Sequence, residues 1–217
     1  MIDWIKKNSP SKVSLIIRHS NRHSIPKGVI EHRDVPLTTE GRKLAFHFGK
    51  KLPKYYSIRL YYSPIPRCRE TAEYLMKGIH NNSRSAKLMG EKDFLYINLI
   101  DQREIVRILE KIGHHNFGYN WLKGKIDQEI IEPPKLVASK IIEGIITSMK
   151  KRIRNSIDIH VTHDLNILSV RDIISPIQNE KFDWPEYLDG IIATHNEDKM
   201  KLIWREISKT IEKNCSH

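Results

Sequence analysis

Cysteine is nearly missing from this chain, with Cys68 and Cys215 the two among 217 residues. Two thiols cannot build a disulfide-stapled scaffold, and they suit a reducing compartment. Long apolar runs are missing too. None approaches the roughly 18 residues that a membrane span needs, and Met1 to Pro10 lacks the apolar centre of a secretory signal. The expectation is a cytoplasmic protein with no membrane partner. Acidic residues are in deficit: 26 Asp and Glu against 37 Lys and Arg leave a net charge of +11, which fits an anionic partner or a solubilising surface. The densest basic run, Lys150-Lys151-Arg152-Ile153-Arg154, has no interleaved aromatics, so it reads as a solvated helix end rather than a specific nucleic-acid surface. No repeat or low-complexity segment divides the chain, and residues 1–217 are expected to form one domain with a real core.

What is present is a set of apolar runs that end abruptly in charge. Val13 to Ile17 reads as a buried strand, and Arg18-His19-Ser20-Asn21-Arg22 follows it. Ser57 to Tyr62 gives a second strand, and Ser63-Pro64-Ile65-Pro66-Arg67 opens a helix whose first turn tolerates proline. Ile157, Ile159 and Val161 alternate with Asp158, His160 and Thr162 as a third, and His163-Asp164 ends it. The carboxyl ends of strands are where open α/β sheets bind ligands. Three such ends supply Arg18, His19, Arg22, Arg67, His163 and Asp164, and guanidinium groups match phosphate oxygens two at a time. Each residue alone has a plainer explanation: a charged loop for Arg18 to Arg22, a surface pair with Glu70 for Arg67, an N-cap for Asp164.

Helical patterns lie between the strands. Thr38 or Thr39 caps one that carries Leu44, Phe48 and Leu52 toward the sheet, and Cys68, Ala72, Leu75 and Ile79 share a buried face of the next. From Lys87 to Ile131 the pattern blurs, with helices expected at 101–112 and 120–131 and a possible lid or insertion at about 87–131. His114 to Trp121 reads as packing with a polar edge or as part of such a lid. Val137, Ile141, Ile145 and Met149 mark a long helix after Pro133 and Pro134. Ile191 to Thr194 and Met200 to Trp204 read as a hairpin, and the last dozen residues as tail. Strands alternating with helices predict an α/β fold of three layers, α/β/α, with a mainly parallel sheet covered by helices on both faces.

The boxes Arg18-His19-Ser20, Leu37-Thr38-x-x-Gly41-x-x-x-Ala45, Ser63-Pro64-x-x-Arg67-x-x-x-Thr71-Ala72 and His163-Asp164 together resemble the histidine phosphatase superfamily. The short chain resembles its compact, phosphoglycerate mutase-like members, and the His-Asp pair resembles its acid-phosphatase branch. The chain departs at Ser20, where the family carries Gly or Ala, and at Pro26, two positions later than the acid-phosphatase pattern. The resemblance implies a metal-independent phosphomonoesterase without cofactors, acting on a phosphorylated small molecule or a phosphopeptide. His19 would be the nucleophile, forming a phosphohistidine. Arg18, Arg22, Arg67 and His163 would bind the phosphoryl group, and Asp164 would be the general acid. Glu91, Asp101 and Glu104, in the region where the mutase-like branch keeps its glutamate, are the alternative acids. A cysteine nucleophile is disfavoured, because Tyr74 stands where its arginine would be, six positions after Cys68. The alternatives are a phospho-ligand-binding protein without turnover, a phosphoglycerate mutase-like phosphotransferase, and a metal hydrolase suggested by eleven histidines. Against the last, His160 and His163 are spaced to opposite faces of a strand.

Overall fold

The computed structural model describes residues 1–25, 34–82, 85–150, 155–196 and 199–212. Pro26 in the loop after His19, residues 151–154 of the basic run, the tip of the closing hairpin and Cys215 lie outside the described residues. Three apolar runs become adjacent strands. β1 (Lys12–Arg18) and β2 (Ser57–Tyr62) flank β4 (Ser156–Thr162), all parallel. β3 (Ala86–Glu91) extends the parallel side beyond β2. β5 (Gly190–Asn196), β6 (Lys199–Trp204) and β7 (Ile207–Glu212) continue from β1 as an antiparallel meander. The described strands thus form one seven-stranded mixed sheet in the order β3-β2-β4-β1-β5-β6-β7.

Alternation along β1 sends Val13, Leu15 and Ile17 into one apolar cluster and Ile16 into another, as the two-residue period of a strand requires. The first cluster is covered by α1 (Ile2–Asn8), α2 (Thr39–Lys51) and α3 (Pro66–His80). The second is covered by α4 (Gln102–Leu122), α5 (Pro134–Lys150) and α6 (Asp164–Ile174). This is the three-layer α/β/α arrangement expected from the sequence. β4, at its centre, is buried along its whole length. Its polar side chains are therefore paired or packed: Asp158 takes a bidentate pair from Arg59 at 2.8 Å, and the His160 ring stacks on Tyr61 with centroids 4.8 Å apart.

Several local expectations change. Leu44 does not face the sheet; it is 40% exposed, and the inward face of α2 consists of Gly41, Ala45 and Gly49. Small residues are needed there because α2 and α3 pack backbone to backbone: a Cβ on Gly49 would lie 2.1 Å from the Leu75 carbonyl oxygen, and one on Gly78 1.9 Å from that of Phe46. The helix expected over 120–131 ends at Leu122. Gly124 at φ 68° and a turn in which Asp127 Oδ1 accepts from the Glu129 amide take the chain out of it. Residues 102–122 are two helical pieces broken at Gly113, whose φ 76° and ψ 162° only glycine adopts readily. The expected tail contains β7, an edge strand with mostly exposed side chains, which therefore shows no apolar alternation to read. β3 was hidden in the same way, since the irregularity between Leu60 and Tyr61 and the positive φ of Gly90 break its period.

One glycine ties this packing to the end of β1. A Cβ on Gly41 would lie 1.9 Å from the carbonyl oxygen of Asn21, two residues beyond His19. Gly41→Ala gains at most about 1 kcal/mol of helix propensity against an overpacking cost of about 1–3 kcal/mol. The expected result is a melting temperature lower by a few degrees, at about 2–4 °C per kcal/mol for a chain of this size. Thermal denaturation followed by circular dichroism checks it, and an unchanged or raised midpoint would contradict the packing.

Candidate active site

The parallel register brings three strand ends level. Arg18 pairs with Thr162 and Tyr62 with Val161. One step further, the His19 amide donates to the Thr162 carbonyl at 2.9 Å and the Ser63 amide to the Val161 carbonyl at 3.0 Å. His19, Ser63 and His163 therefore emerge together. α3 and α6 begin at the same place, and the side chains of their N-cap residues, Ile65 and His163, make no capping hydrogen bond. The electropositive ends of two helices thus face the space that these residues enclose.

His19 is 3% exposed, and its Nδ1 lies 2.8 Å from its neighbour's acceptor, the Ser20 carbonyl. A carbonyl can only accept, so Nδ1 carries the proton and Nε2 keeps its lone pair. Arg67 agrees with this tautomer: its Nε donates to His19 Nε2 at 3.1 Å, while its Nη2 lies 3.2 Å from His163 Nδ1. The guanidinium bridges two imidazoles whose centroids are 5.6 Å apart. Opposite Arg67, His163 Nε2 is held 2.9 Å from the buried hydroxyl of Ser63. Burial and then the Arg67 charge bring the His19 pKa down to about 3; the Ser20 hydrogen bond and the Asp164 charge oppose them less strongly, and Arg18 adds the smallest effect, a further lowering. Burial, more than the neighbouring arginines, is thus what keeps His19 neutral.

Ser20, the departure from the family box, spends its hydroxyl on the Gly41 carbonyl at 2.7 Å, and its amide donates to Thr71 Oγ1 at 3.0 Å. The serine hydroxyl thus fastens the box to α2, and the backbone amide fastens it to α3. Glu70 does not pair with Arg67. It accepts from Arg42 at 2.6 Å and from the Leu37 amide at 2.8 Å, anchoring the segment leading into α2. Cys68 is wholly buried, and desolvation pushes its thiol up to about 12, which makes it inert at ordinary pH.

His19, Arg22, Arg67, His163 and Asp164 line one cavity of about 810 Å³. Arg22 is desolvated there, with its own Nη1 donating to the His23 carbonyl at 2.7 Å. Arg18 is not among the residues lining that cavity. Its Nη2 pairs with Asp164 Oδ2 at 2.8 Å, its Nη1 donates to the Pro185 carbonyl at 2.8 Å, and its guanidinium lies 4.5 Å from the centroid of the Tyr187 ring. Asp164 also accepts from the Leu165 amide at 3.0 Å and from the Trp184 indole at 3.3 Å. Burial pushes the Asp164 carboxyl up, but Arg18 and these donors outweigh it and hold the group below its ordinary value. Of the alternative acids, Glu91 is exposed at the end of β3, Asp101 caps α4 by accepting from the Glu104 amide at 3.0 Å, and Glu104 pairs with Arg107 at 3.2 Å. None of the three lines the cavity.

Sequence reasoning gave no role to Ser63, Trp184 or Tyr187. Ser63 stood in view as the first residue of its box. Trp184 and Tyr187 carried no signal, because only the tertiary fold brings that loop beside Arg18 and Asp164. Among the described residues no group of three or more His, Cys, Asp or Glu has the geometry to hold a metal ion. No described helix is long and apolar enough to cross a membrane.

Comparison with known proteins places the arrangement. A Bacillus stearothermophilus protein, YhfR, has the same fold with a TM-score of 0.65 at 17% identity, over 85% of this chain and 92% of that one. A mycobacterial glucosyl-3-phosphoglycerate phosphatase bound to inorganic phosphate gives 0.61 at 12% identity, over 94% and 97%. A phosphoglycerate mutase from Bacillus anthracis gives 0.58 at 14%, over 94% of each chain. At these identities the likeness establishes a phosphoglycerate mutase-like α/β fold. None of the curated proteins compared with the chain matches it. The family model described as histidine phosphatase superfamily (branch 1) matches residues 14–125, ending before the His163-Asp164 pair. That span is more than half of the chain and holds three of the four boxes, so the protein belongs to the histidine phosphatase superfamily.

Proposed function

We propose that the protein is a metal-independent phosphomonoesterase working through a phosphohistidine on His19. The observation that carries this reading is the Arg67 guanidinium set between His19 Nε2 and His163 Nδ1. It marks one tetrahedral oxyanion's worth of space, bordered by a neutral nucleophile and by cations. Arg22 and Arg67 hold the phosphoryl oxygens, and His163, steadied by Ser63, supplies a further donor when protonated. Arg18 acts one step back in this scheme. It keeps Asp164 in position and stacks on Tyr187, so its expected direct role in phosphate binding becomes a positioning role.

Nε2 attacks phosphorus while the bond to the ester oxygen breaks, and Nδ1 stays bonded to the Ser20 carbonyl. Asp164 is ionised at rest, so the proton for the leaving alkoxide must enter with the substrate. A phosphate monoester loses its last proton near pH 6, and below that its monoanion brings one that Asp164 relays to the departing oxygen. In the second half Asp164 takes a proton from water as water attacks phosphorus. The N–P bond breaks, Asp164 passes its proton to the departing phosphate, and inorganic phosphate leaves with His19 neutral and Asp164 ionised again.

With p-nitrophenyl phosphate, His19→Ala is expected to lose on the order of 10³-fold or more in rate, and Arg67→Ala about 10²–10³-fold in kcat/KM. Hydrolysis surviving the loss of His19 overturns the mechanism. Phosphate binding with no turnover of any ester would indicate a binding protein, and transfer of the phosphoryl group to an added alcohol in place of water a mutase-like phosphotransferase. Asp164→Asn is expected to cost about 10²–10⁴-fold on an alkyl phosphate and far less on p-nitrophenyl phosphate, whose leaving group needs no proton.

The pH dependence follows from the same groups. His19 gains its proton only near pH 3, so it does not titrate across the acid range that ordinarily switches histidine off. On an alkyl ester, kcat/KM is expected to stay level between about pH 4.5 and 5.5 and to fall about tenfold per unit above about pH 6, as the monoanion disappears. A steady-state profile showing a rise through pH 6.5 would mean that His19 titrates at its ordinary value.

A further inference from the structure

The phosphate end of the cavity is a small part of it. Away from His19 the walls are mainly aliphatic and aromatic, with Ile97 and Leu99 before α4, Val106 and Leu109 on α4, Leu165 on α6, and Trp184, while Gln102, Glu110 and His114 are the polar side chains that α4 adds. Leu99, Leu109 and Leu165 are only partly buried, so apolar surface faces a space open to water. Such a surface gains free energy when an apolar group displaces that water. The volume, about 810 Å³, falls in the range of roughly 300–1,000 Å³ typical of sites that enclose a ligand of some size.

Charge is distributed unevenly along this space. The Arg and Lys residues among the described lining are Arg22 and Arg67, and Arg22 lies close enough to Arg67, Arg18 and Asp164 for their charges to be felt. Both therefore belong to the phosphate end. The charged side chain on the α4 wall is an acid, the exposed Glu110. A substrate with a second anionic group, such as a carboxylate or another phosphate, finds no described Arg or Lys there, only His114, and meets a carboxylate. A sugar would have to leave most of its hydroxyls against aliphatic side chains, at the cost of unmade hydrogen bonds.

From this we infer that the substrate is the phosphate monoester of a large apolar alcohol, an alkyl or isoprenoid-like chain lying along α4 with its phosphate at His19. The inference rests on the phosphatase reading for turnover, and its recognition half is open to test without turnover.

The full-length protein would be assayed for phosphate release from ethyl, butyl, hexyl and octyl phosphate below their micellar concentrations, with glucose 6-phosphate and 3-phosphoglycerate alongside. Each buried methylene is expected to raise kcat/KM about two- to fourfold, so octyl phosphate, longer by six methylenes, exceeds ethyl phosphate by at least about 60-fold and exceeds both polar esters. A flat or falling series, or a preference for either polar ester, overturns the inference and leaves the phosphatase reading intact. Leu109→Asn is expected to cut the octyl-to-ethyl ratio at least threefold, a ratio independent of how much enzyme is folded; an unchanged ratio contradicts the assigned wall. Calorimetric binding of octyl and ethyl phosphate to His19→Ala measures recognition alone. Tighter binding of octyl phosphate by the same trend supports the inference even if no ester is hydrolysed, which would sink the phosphatase reading instead. Equal binding overturns it.

Discussion

The site depends on one guanidinium placed between two imidazoles. Arg67 donates to His19 Nε2 and approaches His163 Nδ1, and each of the three sits at the end of a different chain segment. What allows them to meet is the parallel pairing of β1 and β2 with β4, whose ends are level to within a residue. A slip of one residue in either pairing would turn the following side chain to the other face of the sheet. Register therefore decides whether the three side chains meet. It is fixed by β4, buried along its length, and by the Arg59–Asp158 pair that locks β2 to β4.

The electrostatics of the site follow from the same crowding. Arg18, Arg22 and Arg67 stand near one histidine, and the dominant influence on His19 is nonetheless its removal from water. Desolvation and cationic neighbours act in one direction on an imidazole and keep it neutral. On a carboxyl they oppose each other, and at Asp164 the neighbours win. One environment thus yields an uncharged imidazole beside an ionised carboxylate. Arg18 is what separates them: engaged by Asp164 and Pro185, it fixes the carboxylate while leaving the cavity to Arg22 and Arg67.

The parts of this arrangement that could be read from the sequence were those where burial and chemistry leave contrasting marks. An apolar run that stops at Arg18-His19, or at His163-Asp164, announces a strand end because the change of residue type coincides with the change of environment. The roles of Arg18 and Glu70 were not legible, since a guanidinium or a carboxylate reaches several partners and sequence separation does not rank them. Glu70 goes to Arg42 and the Leu37 amide, and Arg18 goes to Asp164. Elements with little burial contrast escaped altogether: β7 is exposed on nearly every side chain, β3 is interrupted at Gly90, and the break at Gly113 leaves an apolar period that continues across it. Leu44 shows the converse. An apolar residue at helical spacing lost its place on the inner face to Gly41, Ala45 and Gly49, because the approach of α2 to α3 leaves no room for a side chain.

In the proposed phosphatase, the same contrast separates what would recognise phosphate from what would recognise the rest of a substrate. The phosphate end is assembled from strand ends and helix starts whose positions the sheet dictates, so its residues fall into short, recognisable boxes. The opposite wall is assembled from α4 and its flanks, a segment interrupted at Gly113 and carrying its lining residues at irregular intervals from Ile97 to Phe117. A rigid sheet can hold the phosphoryl chemistry constant while α4 changes its surface, since neither Val106 nor Leu109 supports the strand register. Specificity for the alcohol is thereby free to diverge without disturbing the geometry that Arg67 requires. That freedom is why the cavity walls, rather than the boxes, carry the information about which ester this chain accepts.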